Sequence, residues 1–171
     1  MVIFPKEFFL ICFIYNYAKR RNKMASEYYS LTVETPIFKV WENLKNPANW
    51  LLFLPGFKQL TQLSPDSYQV ELSLLLGPVE RDTLLTFHFT TDSQQNLISF
   101  TFSSTNGKVT GYGKLSVTAL SNEKTLLETF LDITLKGKTS LLLAPALSSI
   151  KKKWAYELLT QMKEFLEQKN E

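Results

Sequence analysis

The chain has 171 residues, 44% of them hydrophobic and 13% aromatic, with a formal net charge of +3. Length and composition are those of a globular protein with one main domain and a real core. One Cys and one His exclude a disulfide framework, a multi-Cys zinc site and a Cys/His nucleophile pair within that core. The charge is local: Lys6, Lys19, Arg20, Arg21 and Lys23 stand against Glu7, a balance of +4, so the residues after 23 sum to −1. A near-neutral domain has no electrostatic reason to bind nucleic acid.

Residues 1–23 read as an extension. Phe8 to Ala18 is an apolar run of 11 residues followed by Lys19-Arg20-Arg21, well short of the ~20 residues that span a bilayer. A secretory signal would carry its charges on the other side of the run and a small-residue cleavage site after it. Met24 begins a stretch that reads like a natural domain start. Three readings of 1–23 stand side by side: an upstream start codon that is not the real one, a membrane-surface anchor with a basic flank, and a helix packed on the domain. The domain proper is 24–171, expected in the cytoplasm, with any membrane contact made through 1–23.

From Tyr28 to Glu34 the sequence alternates and predicts a first strand. Thr35-Pro36 is a cap-and-proline signal for a short helix over Ile37 to Leu44, and Asn46-Pro47 repeats it for a second over Ala48 to Phe53. Leu54-Pro55-Gly56 ends that pair. Strands follow at Phe57 to Leu63, Tyr68 to Leu76, Val79 to Thr91, Leu97 to Ser104, Lys108 to Leu120 and Leu126 to Leu135, separated by turn-forming residues. Gly111 and Gly113, inside one of these strands, predict a bend or bulge. The last stretch, Thr139 to Gln168, is the only long one with helical period: Leu143, Leu147, Ile150, Trp154, Leu158, Met162 and Phe165 share a face. Pro145 implies either a start near Ala144 or a kink. A meander of strands with one amphipathic helix is an α+β arrangement in which the helix must cover the sheet.

That order, with Val40-Trp41, Asn46-Pro47, Leu54-Pro55-Gly56-Phe57 and Gly77-Pro78-Val79 at their spacing, resembles the START-like (SRPBCC) superfamily. Within it the chain is most similar to the CoxG family, which is associated with carbon monoxide dehydrogenase, over about residues 27 to 168. The Phe53-Leu54-Pro55 corner is also similar to coenzyme Q-binding members. The resemblance implies a helix-grip fold: a curved, seven-stranded antiparallel sheet around a long C-terminal helix, with two short helices between strands one and two. It implies a cavity for a fatty acid, an isoprenoid quinone or another lipid, and no fixed catalytic residue, cofactor or metal. A polyketide-cyclase or dehydratase type of enzyme is the alternative, as is a CoxG-like accessory protein with a membrane contact or a molybdenum CO dehydrogenase-type partner.

Strand parity and this resemblance together nominate a ligand-lining set. From the sheet side come Leu54, Phe57, Leu72, Leu74, Leu76 and Leu85, together with Phe87, Phe100, Phe102 and Leu131. From the helix come Leu143, Leu147, Ile150 and Trp154. Arg81, the only Arg after residue 23, shares the inward parity of Leu85 and Phe87. It reads either as a fork of donors for an acidic head group or as a side chain that snorkels to solvent or pairs with an acid such as Glu34. His88 is out of phase with Phe87 and Phe89 and reads as outward. Glu34, Glu71, Glu80, Asp82, Glu128 and Asp132 mostly take outward parity, which leaves no inward pair of acids for general acid–base work. Lys151, Lys152 and Lys153 read as a solvated helix face.

Overall fold

The computed structural model of the protein describes residues 28–76 and 79–168. The 1–23 extension and the Gly77-Pro78 turn lie outside the described residues, as do the side chains of Leu76 and Leu143. Seven strands are formed, β1 (Tyr28–Val33), β2 (Phe57–Ser64), β3 (Ser67–Leu76), β4 (Val79–Asp92), β5 (Leu97–Ser104), β6 (Val109–Ala119) and β7 (Thr125–Leu135). They make one antiparallel sheet in the order β1-β7-β6-β5-β4-β3-β2. The helix α1 (Ile37–Leu44) follows β1, and α2 (Lys138–Gln168) closes the chain. This is the α+β helix-grip architecture.

Alternation decides the faces. Along β4, Leu85, Phe87 and Phe89 are buried while His88 and Thr90 are exposed. Phe87, Phe89 and Phe100 cluster with Trp50 and Tyr68, with neighbouring ring centroids 5.6–6.1 Å apart. Against this face α2 buries Trp154, Ala155, Leu158, Leu159, Met162 and Leu166. Full burial of a Leu or Met side chain contributes about 1.5–3 kcal/mol, so this stripe is what holds the helix to the sheet.

The helix lies mainly over β7 and β1, and polar ties fix it there. Lys163 Nζ donates to the Thr32 carbonyl at 2.7 Å, and Glu167 Oε1 accepts from the Glu34 N–H at 2.8 Å. Nearer its start, Lys151 pairs with Asp132 at 2.9 Å. Pro36 occupies the cap position of α1, and Thr35 Oγ1 donates to the Leu166 carbonyl at 3.4 Å. Thr125, fully buried, donates in turn to the Thr35 carbonyl at 2.7 Å. This bond joins the start of β7 to the turn that meets the end of α2. Thr125→Val keeps the shape and removes the bond, and is expected to lower unfolding free energy in urea by about 1 kcal/mol. A variant as stable as the parent would show that the bond contributes nothing.

Three local expectations are modified. The second short helix is two single 3₁₀ turns, Pro47–Asn49 and Leu51–Phe53. Trp50 interrupts them at φ −128° and ψ −16°, outside helical geometry, while its indole N–H donates to the Leu44 carbonyl at 2.9 Å. Gly111 and Gly113 mark no bulge, because β5, β6 and β7 pair through them in continuous register. Their role is space: a Cβ at Gly111 or Gly113 would come within 2.3 Å of the Phe102 or Phe100 ring. The register shifts are in β2, between Phe57 and Gln59 and between Gln62 and Ser64. Finally, α2 begins at Lys138 and continues through Pro145. Gly137, at φ +101°, turns the chain into it, and its carbonyl accepts from both the N–H and the hydroxyl of Ser140.

Candidate functional site

A cavity of about 300 Å³ lies between the inner face of the sheet and the middle of α2. It sits toward the end of the sheet where β3 turns into β4, β5 into β6, and β7 into α2. The sheet wall is apolar, made by Leu74, Phe102, Val109, Ile133 and Leu135, with Pro55 and Gly56 at the edge next to β2. From the helix, Leu147, Ile150 and Trp154 complete the apolar wall. Polar groups are Ser73, Glu80, Lys153 and Glu157. Ser73 Oγ donates to Glu80 Oε1 at 2.5 Å, and Lys153 pairs with Glu157 at 3.7 Å. The side chains of Lys153 and Glu157 are 66% and 42% exposed, so this pair belongs to the solvated rim rather than the floor.

Of the nominated residues, the structure brings Leu74, Phe102, Leu147, Ile150 and Trp154 together around the cavity. Leu72, Leu85, Phe87 and Phe100 share the same face but lie deeper, in the packed core. Leu54 is also core, and Phe57 and Leu131 are half-buried against it. Parity tells which face a side chain takes but not how far along the strand the packing opens. At the closed end Trp50, Tyr68 and the helix residues from Leu158 onward fill the space. The sheet parts from the helix near the strand ends, around Val109, Ile133 and Leu135.

Several cavity residues were not nominated. Ile133 and Leu135 continue the Leu131 alternation and could have been read from it. Val109 begins β6. Ser73 and Glu80 take outward parity, yet both border the cavity, at the edge next to β2. Gly56 lets it close up: its φ is +76°, and its carbonyl accepts from the Ser73 N–H at 2.7 Å.

Arg81 stands opposite Leu74 in the β3–β4 register, so it has the expected parity, but its side chain is exposed and is not part of the cavity wall. Nor does it pair with Glu34, which binds Lys124 at 2.9 Å. Beside it, the hydrogen bond from Lys58 holds the Asp82 carboxyl below its ordinary range. That lowered value makes the pair stabilising above the carboxylate's unfolded titration, an effect lost as pH falls through the folded one. Both groups are solvent-exposed, so the effect is screened and small. Among the described residues no group of three or more His, Cys, Asp or Glu side chains could hold a metal ion. No described helix is long and apolar enough to cross a membrane.

An antiparallel sheet gripping a long helix, with an apolar cavity between them, defines a class of proteins. A START-like family profile matches residues 24–167, and the chain belongs to the START-like (SRPBCC) helix-grip family. A search of curated sequences finds no match. Solved structures share the fold. A conserved protein from Geobacillus kaustophilus is similar at a TM-score of 0.70 and 17% identity, covering 81% of this chain and 93% of that one. A START superfamily protein from Mycobacterium smegmatis is similar at 0.63 and 13%, covering 82% and 97%. The Zhui aromatase/cyclase from Streptomyces sp. R1128 is similar at 0.58 and 15%, covering 80% and 92%.

Proposed function

We propose that this protein binds one small hydrophobic molecule in the cavity between its sheet and α2, with a fatty acid, an isoprenoid quinone or another lipid as the candidate classes. The observation that carries this reading is the apolar space of about 300 Å³ walled by Leu74, Phe102, Ile133, Leu147 and Trp154. That volume is at the lower end for small-molecule pockets, which run from about 300 to 1,000 Å³. Affinity comes from apolar burial, at roughly 25 cal/mol per Å², less the cost of immobilising the guest. Arg81 stands outside this cavity wall, so it is not assigned the head group.

Native mass spectrometry of the purified protein tests the proposal. A co-purifying lipid, or a stoichiometric adduct after adding fatty acids and isoprenoid quinones, is the expected result. An apo mass unchanged by all of them would sink it. Enzymatic cyclisation is the weaker reading, because the cavity acids Glu80 and Glu157 belong to a polar rim and only the fold is shared with the aromatase/cyclase. A CoxG-like accessory role rests on the short motifs around Val40-Trp41 and Leu54-Pro55-Gly56. Association with a molybdenum CO dehydrogenase-type enzyme in a pull-down would support it.

A further inference from the structure

Trp154 is only 9% exposed and forms part of the cavity wall. Trp50, the other buried indole on this face, donates its N–H to the Leu44 carbonyl. The Trp154 N–H has no such partner among the described residues. Yet among those residues no fully enclosed side-chain nitrogen or oxygen lacks a hydrogen bond. The Trp154 N–H is therefore not fully enclosed, and Trp154 is a residue of the cavity wall. A donor in an apolar wall loses free energy when a guest strips its water and offers nothing in return. The rim adds a second constraint. Glu80 and Glu157 contribute two carboxylates to the wall, and the cation among its described residues, Lys153, is already paired with Glu157. An anionic head group would meet net negative charge there.

From these two features, and resting on the binding reading above, we infer that the cavity selects apolar molecules bearing an uncharged acceptor oxygen, such as a ketone, quinone or ester, with Trp154 as the donor. Carboxylates are discriminated against by Glu80 and Glu157. The ligand class is thereby narrowed from lipids in general to neutral carbonyl compounds.

Three matched probes test this by isothermal titration calorimetry: acetylnaphthalene, ethylnaphthalene and naphthoate. The first two differ in one carbonyl, and the third replaces the acetyl group with a carboxylate. The ketone is expected to bind about three- to tenfold tighter than the hydrocarbon, the range of one neutral hydrogen bond. Trp154→Phe, which removes the N–H together with the five-membered ring, is expected to weaken both probes through lost apolar contact but to erase the preference for the ketone over the hydrocarbon. Naphthoate is expected to bind more weakly than the ketone, and Glu80→Gln to narrow the gap. The wild-type preference carries the test even if the Trp154 variant folds poorly. Equal binding of ketone and hydrocarbon, or tighter binding of naphthoate, overturns the inference while leaving hydrophobic binding intact. Failure of all three probes, together with an apo mass unchanged by fatty acids and quinones, removes the binding reading and the inference together.

Discussion

Gly56→Val is expected to destabilise the protein by about 2–5 kcal/mol in urea denaturation. Two costs combine. At φ +76° a residue with a Cβ sits in the left-handed region, a strain of about 1–2 kcal/mol and worse for a β-branched side chain. The Cβ itself would fall 2.0 Å from the Ser73 carbonyl oxygen. That oxygen is backbone and cannot swing aside, so β2 and β3 must move apart, an overpacking cost of about 1–3 kcal/mol. Against a total stability of roughly 5–15 kcal/mol for a domain, this is a large share. Gly107→Ala separates the two terms. Gly107 also has positive φ, +65°, but a Cβ there meets nothing within 4 Å, so only the strain should appear. Similar losses for the two variants would mean that the close approach of Gly56 to β3 has no energetic weight.

Leu147→Trp combined with Ile150→Phe is expected to lower ligand affinity at least about tenfold, 1.4 kcal/mol, while leaving the denaturation midpoint unchanged or raised. Both side chains border the cavity from α2, and neither is fully buried, so added volume can go into empty space rather than into packed core. Filling a void restores dispersion contacts that its lining lacks, which is why stability should hold while the guest is excluded. Val109→Phe tests the same point from the sheet wall, should the helix variant fold poorly. Full affinity in both variants would place the ligand elsewhere on the protein.

The two predictions rest on features of different legibility. Strand and helix identities could be read along the chain because hydrophobic periods of two and of three to four are local properties. Ile37–Leu44 and Leu97–Ser104 form as read, and the Asn46-Pro47 signal works as expected, with Asn46 Oδ1 accepting from the Ala48 N–H. The face taken by Phe87, Phe100 or Leu147 was likewise legible from parity. Whether such a residue borders empty space was not. Phe100 and Phe102 have the same parity on one strand, yet Phe100 is packed by Trp50 and Phe87 and Phe102 faces the cavity. The difference is set by partners that come from distant parts of the chain.

Gly111 and Gly113 show the same division. Their presence inside a strand was visible, and an unusual backbone was the reasonable expectation. The actual reason is a ring from the neighbouring strand resting where a Cβ would be, which needs the β5–β6 register to be known. Ser73 and Glu80 are assigned outward by alternation, yet they border the cavity beside Gly56.

The amino-acid order alone, then, determined the seven strands, the amphipathic C-terminal helix that covers them and the inner face of each, because burial of apolar surface is encoded in short-range periodicity. Tertiary structure decided the depth at which the sheet parts from that helix, and hence which inward-facing strand residues pack and which border the cavity. Leu85, Phe87 and Phe100 became core, while Leu74 and Phe102 became cavity wall; along the helix Leu147, Ile150 and Trp154 border the cavity, as nominated. Packing depth depends on what the opposite surface presents, and that surface is assembled from parts of the chain far apart in sequence.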